Sequence, residues 1–235
     1  MNFQESFLRS KALNNIPNKK LNFILEETSK RTDINQQQKN LLIIAANKYS
    51  EANIPIEYWN LNMNDEFKGD KRLFELYSSY TSDLKKSFLE AKSFCLAGSH
   101  GLGKTMTVCC ILKECIHKNY DVLYTTLSDV VNVLTSASTE EKFFARRELC
   151  LADFLAIDEF DSRFIASDNA ADLYARTLES IFRTRSQNKL PTLMSTNSPN
   201  IVESFNGPLK DSIKSLVSGY LTMFPVFGKD FRIKK

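Results

Sequence analysis

The spacing of apolar residues divides the chain in two. The first fifty residues contain no glycine, and their apolar positions recur at helical intervals. Leu21, Ile24, Leu25 and Thr28 share one face, and Leu42, Ala45, Ala46 and Tyr49 share another in a later segment that Asp33 is placed to cap. Pro55 ends this helical stretch. Its polar load, "NNIPNKK" and "RTDINQQQKN", is heavy for so small a core. That leaves two readings open: a solvated appendage, or a surface that packs on the main body or docks onto a partner. From about residue 94 short apolar runs alternate with amphipathic stretches, the pattern of strands and helices wound around a parallel sheet. "SFCLAG" (93–98), "DVLYTT" (121–126), "DFLAID" (153–158) and "PTLMST" (191–196) read as buried strands, with "YLTMF" (220–224) a fifth. Helices fit residues 105–118, 128–135, 139–149 and 168–185, the last with a stripe of Ala171, Tyr174, Leu178, Ile181 and Phe182. The expected organisation is a helical N-terminal region over residues 1–52 and an α/β domain over residues 53–235.

Composition narrows this picture without redirecting it. A chain of 235 residues, 43% hydrophobic and 25% charged, has the make-up of a globular protein with a sizeable core. A net charge of +3 permits a local nucleic-acid contact but does not announce one. The five cysteines have no CxxC spacing, and only two histidines are present, so Cys95, Cys109, Cys110, Cys115 and Cys150 read as buried thiols of a reduced compartment. "MNFQESFLRSK" has no apolar h-region, and the longest apolar run, "LLIIAA" (41–46), is too short to span a bilayer. These features predict a soluble cytoplasmic protein with no membrane partner.

Candidate chemistry concentrates in "GSHGLGKT" (98–105). The chain has seven glycines, and three of them fall within six positions here. A strand running into GxxxxGKT and then a helix is the P-loop arrangement, in which a tightly turned backbone brings N–H groups onto phosphate oxygens at a helix N-terminus. Gly98, Ser99, His100, Gly101, Leu102, Gly103, Lys104, Thr105 and Met106 are therefore the predicted nucleotide-binding residues. Lys104 is placed to reach the β- and γ-phosphates, and the Thr105 hydroxyl to complete an Mg²⁺ shell. "FLAIDEF" (154–160) then reads as a buried strand that emits Asp158 and Glu159 at its C-terminal edge, where ligands of open α/β sheets collect. Asp158 suits Mg²⁺ through water, and Glu159 suits polarisation of an attacking water. The third strand-end, "MSTN", offers Asn197 as an amide that can donate to a γ-phosphate oxygen and accept from that water, although "TNSPN" is also good turn chemistry.

On these motifs the chain resembles the AAA+ ATPases, and within them the bacterial and phage helicase loaders (DnaC-like, DnaI-like) and the IstB-like transposition helpers. The resemblance spans about residues 54–227 and rests on "NIPIEYW", "GSHGLGKT", "STEEKFFARRELCLADFLAIDEF" and "LPTLMSTN". It implies a P-loop NTPase three-layer sandwich with a parallel five-stranded sheet, and a short C-terminal segment in place of a full lid. The implied cofactors are ATP and Mg²⁺, and the implied catalytic residues are Lys104, Glu159 and Asn197. A hexameric replicative DNA helicase and single-stranded DNA are the implied partners, with self-association through AAA+ interfaces. By the same resemblance Ile54, Pro55 and Tyr58 lie near the adenine, and Arg163 with Phe164 offers a cation and an aromatic for single-stranded DNA, or else an ordinary charged loop.

Two departures from the family pattern stand out. No cysteine precedes Cys95, so an N-terminal zinc cluster is absent from this sequence. The family's arginine finger also has no counterpart in "FNGPLKDSIKSL" (205–216), where only Lys210 and Lys214 carry positive charge. A lysine is not equivalent where a planar fork is needed, which predicts slow hydrolysis in isolation, with ATP acting as an assembly switch. The readings to be separated are a helicase loader, a transposition helper that binds duplex DNA and a transposase, a small-molecule phosphotransferase, and a nucleotide-binding scaffold without turnover.

Overall fold

The computed structural model describes residues 13–64, 67, 69–161, 168–205 and 207–230. Four helices come first: α1 (Asn18–Lys30), α2 (Gln36–Glu51), α3 (Lys71–Ser82) and α4 (Leu84–Leu89). The α/β body follows in the order β1 (Phe94–Ala97), α5 (Lys104–His117), β2 (Val122–Thr126), α6 (Leu127–Ser136), α7 (Thr139–Leu151) and β3 (Phe154–Asp158). It continues with α8 (Asp168–Gln187), β4 (Thr192–Thr196), α9 (Gly207–Gly219) and β5 (Thr222–Pro225). All five strands expected from the apolar runs are present, and the helices predicted between them start and stop close to the expected bounds. Helices α3, α4 and α9 lie where the sequence reading assigned none.

The sheet has the order β2-β3-β4-β1-β5, with every pairing parallel. Strands β1 to β4 are buried on both faces, which is why they read as continuous apolar runs, whereas β5 at the edge is partly exposed. Alternate residues still serve different layers. Leu155 and Ile157 of β3 join one core with Leu149 of α7, Ile181 and Phe182 of α8 and Ile213 of α9. Phe154 and Ala156 join the other, with Leu73 of α3 and Ile111 and Leu112 of α5. The result is a three-layer α/β/α sandwich. The connection from β1 runs toward the β2 edge and that from β4 toward the opposite edge, so a crevice opens between these neighbouring strands at their C-terminal ends.

All five cysteines are buried free thiols, as the composition suggested. Burial pushes the Cys95 thiol up to about 12, far from the range of a reactive thiolate. Among the described residues no helix is long and apolar enough to cross a membrane.

The N-terminal helices differ in detail from their expected form. Asn35, not Asp33, caps α2: its side chain accepts from the Gln38 N–H while the Gln38 side chain accepts from the Asn35 N–H. Asp33 is instead paired with Arg31. The predicted inner face of α2 is buried at Ala46 and Tyr49, whereas Leu42 is exposed. The end of α2 is tied to the body, since the Tyr49 hydroxyl meets His117 Nε2 at 2.8 Å. Asn53, in the left-handed conformation (φ 57°) that asparagine tolerates, follows the helix and donates from Nδ2 to the Tyr124 carbonyl on the β2 edge at 3.1 Å.

Candidate nucleotide site

The loop between β1 and α5 turns through Gly101 (φ 72°) and Gly103 (φ 87°), conformations that side-chain-bearing residues rarely adopt. Helix α5 therefore starts at Lys104 with its first-turn N–H groups facing a cleft of about 550 Å³. The cleft is lined by His100 through Met106 of the loop and helix, Asp158 and Glu159 at the end of β3, and Asn197 after β4. Glu57, Tyr58, Phe67 and Gly69 close its other side. Gly98 and Ser99 line it only indirectly, by offering their carbonyls to Lys104 at 2.9 and 2.7 Å. Lys104 is 5% exposed, and it also donates to Asn197 Oδ1 at 3.0 Å, so the crevice between β1 and β4 is bridged by these two predicted site residues.

Asp158 ends β3 with its carboxylate buried and held on three sides. Oδ1 accepts the Glu159 N–H at 2.8 Å and the Ser195 hydroxyl, while Oδ2 accepts the Tyr124 hydroxyl at 2.8 Å. Burial and the neighbouring carboxylate push the Tyr124 phenol well above its ordinary value, so it remains a donor. The chain then leaves the sheet abruptly. Glu159 takes a left-handed conformation (φ 49°), a costly geometry for a non-glycine residue of the kind found at functional sites. Two contacts hold it there: the Phe160 N–H donates to the Ser195 carbonyl at 2.9 Å, and the Phe160 ring is buried against Phe182 and Phe205. Asp158 is thus kept inside the sheet edge while Glu159, its neighbour, is exposed to the cleft.

Asn197 is oriented by two partners. Its Oδ1 accepts from Lys104, and its Nδ2 donates to Asp161 Oδ2 at 3.3 Å. Asp161 is 6% exposed, and nothing in the sequence marks it as a partner of Asn197. Tyr124 was missed for a different reason, since it looks like any aromatic inside an apolar strand. Of the three residues expected near the base, Tyr58 lines the cleft, but Ile54 is a fully buried core residue and Pro55 precedes the short turn at Ile56–Tyr58. That wall is fastened from below by Lys113 of α5, whose ammonium donates to the carbonyls of Tyr58 (2.9 Å), Trp59 (3.2 Å) and Leu61. Burial lowers the Lys113 pKa, and the carbonyls replace the water it has lost.

Lys210 and Lys214 both lie on α9 and line no part of the cleft in their own chain. Lys210 is ion-paired with Glu203 at 2.7 Å, and Lys214 is exposed. Arg163 and Phe164 lie outside the described residues. Among the described residues no group of three or more His, Cys, Asp or Glu could hold a metal by itself.

A buried P-loop lysine, a strand-end Asp-Glu pair and an amide from the next strand, gathered at the crevice of a parallel sheet, define a P-loop nucleotide-hydrolysing site. Residues 94–211 match the AAA family, the ATPase family associated with various cellular activities, and the chain belongs to it. It is accordingly a nucleotide-binding protein and an ATPase. Solved structures add a likeness of fold. The chain is 17% identical to the crystal structure of DnaI, with 76% of this chain and 94% of that one covered at a TM-score of 0.57. It is 18% identical to the DnaC helicase loader, with 74% and 100% covered at a TM-score of 0.55. The replication initiator DnaA bound to AMPPCP and single-stranded DNA is 15% identical, with 75% of this chain covered at a TM-score of 0.57, but the chain spans only 51% of that structure. No curated protein sequence matches the chain.

Proposed function

We propose that the protein is an ATP-dependent loader of a hexameric replicative DNA helicase, binding ATP with Mg²⁺ and helping to place the helicase on single-stranded DNA. The single observation that carries this reading beyond ATP hydrolysis is the set of exposed apolar side chains on the N-terminal helix pair. Phe23 (56% exposed), Leu41 (60%) and Ile44 (52%) stand in solvent beside a complete ATPase core, as a surface kept for a protein partner would. The fold likeness to DnaI and to the DnaC helicase loader, over nearly the full length of both, supports the same choice.

The site residues divide the work by position. Lys104 now donates to two loop carbonyls and to Asn197, and it exchanges these for phosphate oxygens when nucleotide enters. The Thr105 hydroxyl and the Asp158 carboxylate line the cleft as hard oxygen donors, a set that suits Mg²⁺ with water and phosphate as its other ligands. Held there, Mg²⁺ would supply charge neutralisation to the bound phosphates. Glu159 orients and polarises the attacking water. Asn197 donates from its amide once Lys104 has turned to phosphate.

Helix α9 (Gly207–Gly219) contains no arginine, and its Lys210 is committed to Glu203, so turnover in isolation is slow, below about one per second. A cation supplied in trans by Lys214 or Lys210 makes ATP an assembly switch. Arg163 and Phe164 remain the proposed contacts to single-stranded DNA.

Native mass spectrometry of the protein mixed with the replicative helicase of its own system, with and without ATP and Mg²⁺, tests the reading. A defined complex with the helicase hexamer is expected. Its absence under both conditions, from folded and ATP-bound protein, contradicts the loader reading and makes a transposase the next partner to test.

A further inference from the structure

We propose that Tyr124 is a positioning residue for Asp158, fixing through its hydroxyl the one carboxylate oxygen that is open to an Mg²⁺-bound water. The inference rests on the reading of Asp158 as the residue that holds Mg²⁺. A carboxylate has about four lone-pair sites, two on each oxygen. At Asp158 both sites of Oδ1 are taken, by the Glu159 N–H and the Ser195 hydroxyl. Among the described residues Oδ2 accepts only the Tyr124 hydroxyl, at 2.8 Å. One site on Oδ2 is left, and its direction is set by where the phenol sits.

The phenol is itself immobilised. Tyr124 is 5% exposed, on a strand whose outer edge would otherwise present unpaired main-chain groups. The segment after α2 occupies that edge. The Tyr124 N–H donates to the Ala52 carbonyl at 2.9 Å, and the Tyr124 carbonyl accepts from Asn53 Nδ2 at 3.1 Å. On the other edge β2 is paired with β3, with Tyr124 opposite Ala156, two residues before Asp158. Both main-chain groups of the residue are bonded on the outer edge, its strand is paired with β3 on the inner one, and the tip of its side chain is bonded to Asp158. A tyrosine kept only for packing needs none of the last contact, and phenylalanine would fill the same space.

The test compares the full-length protein with Tyr124→Phe and Asp158→Asn, using a fluorescent non-hydrolysable ATP analogue. Affinity is measured in EDTA and then across an Mg²⁺ titration, beside the steady-state ATPase rate. In EDTA the three proteins should bind the analogue within about twofold of one another, which also shows that the variants are folded. For Tyr124→Phe the Mg²⁺ concentration at half-effect should rise about tenfold, the usual cost of losing a partner that orients a metal-site carboxylate. Its kcat should fall, with KM for ATP at saturating Mg²⁺ little changed. If Tyr124→Phe titrates with Mg²⁺ as the wild type does while Asp158→Asn does not, the inference about Tyr124 is wrong and the metal reading stands. If Asp158→Asn also titrates as the wild type does, the metal reading fails and this inference with it.

Discussion

Two buried cations sit at opposite edges of the same sheet, and both are surrounded by carbonyl oxygens. Arg185, fully buried near the N-terminal edge, donates to the carbonyls of Leu149 (3.0 Å), Ala152 (2.9 Å) and Pro191 (2.6 Å) and to the Thr192 hydroxyl (2.9 Å). Lys104, at the C-terminal edge, donates to the carbonyls of Gly98 and Ser99 and to Asn197. The difference lies in what those acceptors have to do otherwise. The Leu149 and Ala152 carbonyls lie at the end of α7, where helix carbonyls lack intrahelical donors, while the Pro191 carbonyl also accepts the Leu155 N–H at 3.3 Å and the Thr192 hydroxyl also meets that of Tyr220, so Arg185 completes a fixed interior network. Burial still presses its pKa down, to about 10, where it stays charged. Gly98 and Ser99 belong to a loop shaped for phosphate, and Asn197 is held independently by Asp161, so the partners of Lys104 are ones it can leave. Burial and coordination by carbonyls do not by themselves mark a functional cation; replaceable acceptors do.

That contrast breaks if the two residues behave alike when removed. The largest effect is expected for Arg185→Met, which removes a buried donor from the helix-end carbonyls of Leu149 and Ala152 and one donor each from the Pro191 carbonyl and the Thr192 hydroxyl. Denaturant unfolding should show a loss of about 3–5 kcal/mol, while the fraction still folded binds ATP normally. Lys104→Met should do the reverse: affinity for ATP falls by more than about a hundredfold, roughly 2.7 kcal/mol, while nucleotide-free stability changes by less than about 1.5 kcal/mol. Equal destabilisation by the two substitutions would contradict the distinction. Asn197→Ala sharpens it with a smaller effect, since Lys104 loses one acceptor and the γ-phosphate one donor. Steady-state kinetics should show kcat down by about tenfold with ATP affinity within about threefold of wild type.

The parts of the fold legible in the sequence were those written into local patterns. Apolar runs marked β1 to β4 because a doubly covered parallel sheet leaves no polar alternation to confuse them, while the partly exposed edge strand β5 still carries Met223 and Phe224, preceded by Leu221. Lys104, Asp158 and Glu159 were legible because neighbours along the chain do the positioning, through a glycine turn in one case and a strand end in the other. Helix α9 was not, since it opens with Gly207 and Pro208, which suggest a turn although proline suits a first helical turn. Helix α3 carries a readable helical signal in Leu73, Leu76, Tyr77 and Tyr80, with Asp70 as its cap. Tyr124 and Asp161 belong to another class. Their roles depend on the pairing of β2 with β3 and on the path of the chain beyond Glu159, neither of which local spacing encodes.

The most direct test of the account is the ATP turnover of the isolated protein beside that of Glu159→Gln, with ATP binding measured on both. Turnover in the wild type should be slow, below about one per second, with a further loss of about a hundredfold or more in the variant and ATP affinity retained. A variant that hydrolyses ATP as fast as the wild type would show that Glu159 does not activate the water and would contradict the assignment of this cleft as the hydrolytic site.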